Sequence, residues 1–189
     1  MASGGPLAAR KRPELREQYE RQAFEYAPSL QGDHVVNAEA RLKELGIELP
    51  PAPAPIGNYV AGVRVGKLLF MSGCGPRRSG GGAITGKLGA ELSTEEGYAA
   101  ARTVGLNMLA NIRSVIGSLD RVERVVKVLG MVNSAPHFDQ MPKVINGFSD
   151  LFVEIFGEER GRGARSAVGM AALPNQIAVE VEMVLQVSD

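Results

Sequence analysis

The last third of the chain alternates. From Ala164 to Val187, the run ARSAVGMAALPNQIAVEVEMVLQV puts Ile177, Val179, Val181, Met183, Leu185 and Val187 on one side of an extended segment. Glu180, Glu182 and Gln186 fall on the other side, interrupted by Ala178 and Val184. In the preceding run Arg165, Ala167, Gly169, Ala171 and Leu173 share one side. With a turn at Leu173 to Gln176 the two runs read as a hairpin, in which Arg165 lies near Val184 and Glu180 near Gly169. In that register the two charges stand about 13 Å apart, at ~3.3 Å per residue, too far to pair within one chain. Each is then either separately solvated or part of a site that a neighbouring subunit completes.

Upstream, Tyr59 to Val65 and Leu68 to Ser72 read as strands joined by a tight turn at Gly66 and Lys67. The second strand stops in Ser72-Gly73-Cys74-Gly75-Pro76, and a glycine-rich segment follows. Gly81 to Lys87 spells most of a phosphate-binding loop, but Leu88 occupies the position of the required hydroxyl and no helix begins there, so the segment reads as a flexible hairpin loop. A capping box at Ser93 to Glu96 opens a helix. Its apolar stripe, Ala101, Gly105, Met108, Ile112 and Val115, runs to about Gly117. Val122 to Val132 is apolar on both sides and predicts an interior strand, ended by Asn133-Ser134-Ala135-Pro136. Asp139 as cap, Pro142 in the first turn and the stripe Val144, Phe148, Leu151, Phe152 and Ile155 predict a second helix that ends before Gly157.

Nearer the N-terminus, Asn37 caps a short helix through Leu45 that Gly46 stops. Pro50, Pro51, Pro53 and Pro55 then impose an extended approach. The order strand, strand, helix, strand, helix, strand, strand predicts an α+β domain over residues 34–189, with two helices on one face of a mixed sheet. Residues 1–33, rich in charge, predict an N-terminal extension, either flexible or a peripheral helix.

Composition narrows the chemistry. Lysine plus arginine equals aspartate plus glutamate, 21 against 21, so no global field draws in a phosphate backbone or an anionic membrane surface. One cysteine and two widely separated histidines leave no internal disulfide and no zinc spacing, hence no expected metal. No apolar run reaches the roughly 20 residues of a membrane span. A cytoplasmic setting is expected, with Arg10, Lys11 and Arg12 a weak hint of an organellar presequence.

From about Leu42 to Val187 the chain resembles the Rid family, the reactive intermediate deaminases, also called YjgF-like or L-PSP endoribonuclease-like proteins. The likeness rests on RSAVGMAALPNQIAVEVE, on PAPIGNYVAGVRVGKLLFMSG and on PKVINGFSDLFVEIFG. It implies a chorismate-mutase-like α+β fold assembled as a homotrimer, with pockets between subunits. It also implies a hydrolase without cofactor that converts 2-enamine and 2-imine acids to 2-keto acids and ammonia. Carried over by motif, Arg165 binds the substrate carboxylate and Glu180 holds and activates water. Tyr59, Ser72, Gly73 and Asn146 match the pocket lining, although packing and a local hydrogen bond account equally well for Tyr59 and Asn146.

Two positions depart from the family pattern. Ala167 stands where many members have cysteine, so activities that depend on that thiol are not implied. Cys74 stands where glutamine is common, and reads as a small buried residue of the pocket wall. A non-catalytic trimer that senses a small carboxylate is the alternative reading. RNA cleavage fits poorly with the neutral charge and the absence of a basic, aromatic surface motif.

Overall fold

The computed structural model describes residues 37–52 and 57–189; the expected extension over residues 1–33 lies outside them. Asn37 accepts a hydrogen bond from the Ala40 N–H at 2.8 Å and opens α1, Ala38–Glu44. The strands β1, Gly62–Val65, and β2, Leu68–Cys74, are joined through Gly66, whose φ of 59° suits a tight turn. β1 starts later than the alternation suggests. Helix α2, Thr94–Ile116, carries both halves of its capping box, Glu96 N–H to Ser93 Oγ and Ser93 N–H to Glu96 Oε2. Gly117 ends it at φ 84°. Val115 is exposed, and Ile116 is buried in its place.

β3, Val122–Asn133, leads into α3, Met141–Gly161. Asp139 does not cap α3: Gln140 holds the N-cap position and no side chain caps the helix. The expected stop at Gly157 is present as a break, although the element as a whole runs on to Gly161. That glycine takes φ 78°, breaks the helical path, and the chain resumes a turn to Gly161. β4, Ala164–Met170, and β5, Val179–Val187, complete the sheet.

The sheet order is β1-β2-β5-β3-β4. This overturns the expected hairpin between β4 and β5. β4 runs parallel to β3 at the edge, with Arg165 opposite Val128, while β5 lies antiparallel between β2 and β3. The reason is topological. The chain between β3 and β4 crosses over through α3, and such a crossover brings the next strand back in the same direction beside the first. β5 then takes the central position, where Val179, Val181, Met183, Leu185 and Val187 are all buried.

Helices α2 and α3 cover one face of the sheet. They touch closely at Gly147, where a Cβ would stand 2.0 Å from the Tyr98 carbonyl oxygen. Phe148, Phe152 and Phe156 form a continuous aromatic row beneath them. A third helix, α1, is tied to the end of the layer by Glu39, which accepts from Arg113 Nε at 3.0 Å and from the Leu119 N–H at 3.0 Å. The opposite face of the sheet stays open, with Val63, Val65, Leu68, Phe70 and Val168 exposed and Glu180, Glu182 and Gln186 along its central strand.

The glycine-rich segment is a hydrogen-bonded hairpin in which Arg78 N–H bonds Gly82 O and Ile84 N–H bonds Pro76 O. Lys87 fastens its end by donating from Nζ to Asn133 Oδ1 at 2.8 Å and to Ala171 O at 2.6 Å. The lysine that suggested a phosphate-binding loop is therefore a brace between strand ends.

Candidate functional site

Along β2, Met71 pairs with Met183 and Cys74 with Val181, three steps against two, so an extra residue is inserted at Ser72 and Gly73. The bulge brings Gly73 beneath Glu180. A Cβ on Gly73 would stand 2.1 Å from Glu180 Oε1, so only glycine leaves room for the carboxylate. Glu180 is half-buried and, among the described residues, its carboxylate has no hydrogen-bond partner. Burial raises its pKa, and the like charge of Glu182 adds to the effect. Such a carboxylate is a stronger base than an ordinary glutamate, with lone pairs free for water.

This carboxylate opens into a cavity of about 1120 Å³. Of the residues singled out in the sequence, Tyr59, Ser72, Gly73, Cys74 and Glu180 all line it. Tyr59 is half-exposed at its rim. The Ser72 hydroxyl donates to Val60 O at 2.7 Å, which leaves its oxygen free to accept. The Cys74 thiol is pushed up to about 12, first by burial and then by the Glu180 charge, with Arg77 acting in the opposite direction. It is thus a neutral wall residue, with Asn111 Nδ2 donating to its sulfur at 3.7 Å.

Three contributors escaped the sequence reading: Arg77, Asn107 and Asn111. Asn107, buried inside α2, donates from Nδ2 to Gly75 O at 3.2 Å and to Arg77 O at 3.0 Å. Asn111 lies one turn further along the helix. Two asparagines four residues apart on the otherwise apolar buried face of the helix were the available signal, because asparagine is unfavourable in a buried helix interior unless its amide is bonded.

The remaining site residues lie elsewhere. Arg165 points to the helix-covered face, donating from Nη1 to Asn146 Oδ1 at 2.9 Å and to Ser149 Oγ at 3.0 Å, and from Nη2 to Pro142 O at 3.4 Å. None of these bonds uses Nε, so the Nε and Nη2 edge keeps the fork that a carboxylate needs. Burial lowers the Arg165 pKa, and the Asp150 charge opposes that shift. Arg165, Asn146 and Ser149 line a second cavity of about 500 Å³, while Ala167 packs against the core.

Glu180 projects from the opposite face of the sheet: its neighbours Val179 and Val181 face the helices, and it stands beside Met131 and Val168 in the ladder. The separation of Glu180 from Arg165 is thus three steps along β3 and two strands across, on opposite faces, and not four steps along one hairpin. One chain brings together Tyr59, Ser72, Gly73, Cys74 and Glu180, and separately Arg165 and Asn146, but not the two sets.

A mixed five-stranded sheet beneath a helix pair, with a carboxylate seated on a bulge glycine at the wall of a cavity, defines an α+β protein. The chain belongs to the family described as "YjgF/chorismate mutase-like, putative endoribonuclease", whose model matches residues 39–184. It is 48% identical over 150 residues to Protein TCP17 of Trypanosoma cruzi, covering 79% of this chain and 94% of that one. It is 28% identical over 141 residues to the 2-iminobutanoate/2-iminopropanoate deaminase of Dermatophagoides farinae, covering 74% and 93%. A solved structure from Shewanella oneidensis MR-1, named a "putative endoribonuclease", superimposes with a TM-score of 0.76 at 34% identity, covering 80% of this chain and 99% of that one. No helix among the described residues is long and apolar enough to cross a membrane.

Proposed function

We propose that this chain is one subunit of a homotrimeric hydrolase that converts 2-imino acids to 2-keto acids and ammonia in a cleft between subunits. The observation that carries the reading is the carboxylate of Glu180, half-buried over Gly73 with its pKa raised and no partner for its lone pairs. In this reading Glu180 orients a water molecule and takes its proton as the oxygen attacks the imine carbon. The carbinolamine so formed then loses ammonia, and the C=N bond is replaced by C=O. Arg165 of a neighbouring subunit holds the substrate carboxylate through its free edge, while Asn146 and Ser149 fix the guanidinium.

The opposite faces occupied by Arg165 and Glu180 support a shared site, since neither can serve the other within one chain. The open sheet face offers the means: four exposed apolar side chains on β1 and β2, from Val65 at 63% to Leu68 at 39%, form a patch of the kind that marks a protein interface. The deaminase relative supports the reaction class. The endoribonuclease wording gains no support from a chain whose basic and acidic residues balance.

The test is hydrolysis of an imino acid released in place by an amino-acid oxidase, with the keto product trapped over time. Acceleration over buffer, abolished by Arg165→Ala, is the expected result. A rate equal to buffer removes the reading.

A further inference from the structure

Arg77, an exposed residue, lines the same cavity as Glu180, and among the described residues its guanidinium has no hydrogen-bond or ion-pair partner. Its backbone is fixed. The Arg77 N–H bonds Gly75 O at 3.0 Å, its carbonyl accepts from the buried Asn107 amide at 3.0 Å, and it bridges Ala83 across the hairpin. Asn107 has both amide protons committed to this one turn, so a polar side chain is buried in α2 to hold the Arg77 backbone in place. The guanidinium lies close enough to the Cys74 thiol to favour its ionised form, with Glu180 acting in the opposite direction on the same thiol. Arg77 and Glu180 make no ion pair with each other.

The cavity's own-chain ionic side chains are Arg77, Arg78, Glu180 and Glu182, and Arg78 donates to Ala83 O at 3.4 Å. If the neighbour's Arg165 takes the α-carboxylate, the Arg77 guanidinium, which pairs with neither Glu180 nor Glu182, is left facing the rest of the substrate.

We propose that the cavity selects an imino acid bearing a second, side-chain carboxylate, which Arg77 of the same subunit binds. This rests on the imino-acid reading of the site. The second carboxylate takes no part in the bond changes: water adds across C=N, ammonia leaves, and the product is the keto dicarboxylate.

Binding and turnover test it separately. Calorimetry of the full chain with 2-oxoglutarate and with 2-oxobutanoate is expected to show tighter binding of the dicarboxylate. Arg77→Ala should weaken 2-oxoglutarate on the order of 10- to 100-fold, as loss of a charged hydrogen bond does, and weaken 2-oxobutanoate far less. Among the described residues the Arg77 side chain has no hydrogen-bond or ion-pair partner, so an unchanged melting temperature verifies that the variant folds. Equal binding of the two keto acids by the wild type, binding of neither, or equal losses on substitution overturns the proposal. In the turnover arm, imino acids are generated by oxidases from glutamate and from 2-aminobutanoate. Preference for the acidic imine, lost in Arg77→Ala, is expected. Turnover of neither, with the binding difference intact, sinks the deaminase reading while the dicarboxylate subsite stands.

Discussion

Glu180 and Gly73 are fitted to each other: carboxylate oxygen Oε1 lies 2.1 Å from where a Cβ on residue 73 would be. The bulge in β2 exists at this point and the carboxylate fills the space it opens. Gly73→Ala therefore has to move either the strand or the base. Overpacking of this kind costs roughly 1–3 kcal/mol. The expected outcome is a folded, less stable protein whose hydrolytic rate falls far more than its stability, measured by urea titration beside the oxidase-coupled assay. A variant that retains full activity means that Glu180 need not sit over residue 73.

The charge on Glu180 opposes folding at neutral pH. Its folded pKa is raised, so the folded chain keeps the proton at pH values where the unfolded chain has released it. The contribution of this group to stability is complete below the ordinary glutamate range and is lost as pH rises through the raised value. Glu180→Gln, neutral at every pH, is expected to melt above wild type at pH 8 and level with it near pH 4, while losing activity. A melting temperature below wild type at pH 8 contradicts this.

Cys74 obeys the same sign. Its thiol is raised from 9.0 to about 12, so its share of stability is present below pH 9 and disappears between pH 9 and about 12. At pH 8.5 native Cys74 should react with iodoacetamide on the order of a thousandfold more slowly than in denaturant, because the thiolate is the reacting species. Cys74→Ala should keep most of the hydrolytic rate. Fast alkylation of the native protein, with loss of activity, would make Cys74 a nucleophile instead.

The open sheet face yields a prediction about assembly. Phe70 is 45% exposed in the middle of the patch, opposite Val63 on one side and Val184 on the other. Phe70→Glu places a charge where an apolar partner is expected and should reduce the mass in solution to that of one chain of 20.1 kDa, with activity lost. Light scattering reads this directly. An unchanged mass means that another surface joins the subunits.

What was legible in the sequence is what local chemistry dictates. Ser93 and Glu96 announced α2, and the alternation from Val179 to Val187 announced a strand with one buried face. The neighbour of that strand was not legible. Alternation fixes which face a side chain takes, yet says nothing about which strand lies alongside, so β4 and β5 read as a hairpin although β3 separates them. Arg165 and Glu180 stood out as the two charges of the final runs and took their roles from the resemblance, but their opposite faces follow only from the crossover through α3. Arg77, Asn107 and Asn111 stayed hidden because their contacts are long-range: Asn107 reaches Gly75, 32 residues away, and Asn111 reaches Cys74, 37 residues away. No local pattern encodes such a pairing.

The strongest test of a shared site mixes two dead proteins. Arg165→Ala keeps Glu180, and Glu180→Gln keeps Arg165; each alone should be inactive, since every cleft lacks one partner. If Glu180 of one subunit faces Arg165 of the next, equal amounts unfolded together and reassembled at random place an intact pair in about a quarter of the clefts of a cyclic oligomer. The expected result is recovery of about that share of the wild-type rate, against none for either variant carried through the same procedure alone. If both residues of a cleft came from one chain, no mixture could restore it, and zero recovery by a properly assembled mixture would falsify the shared site.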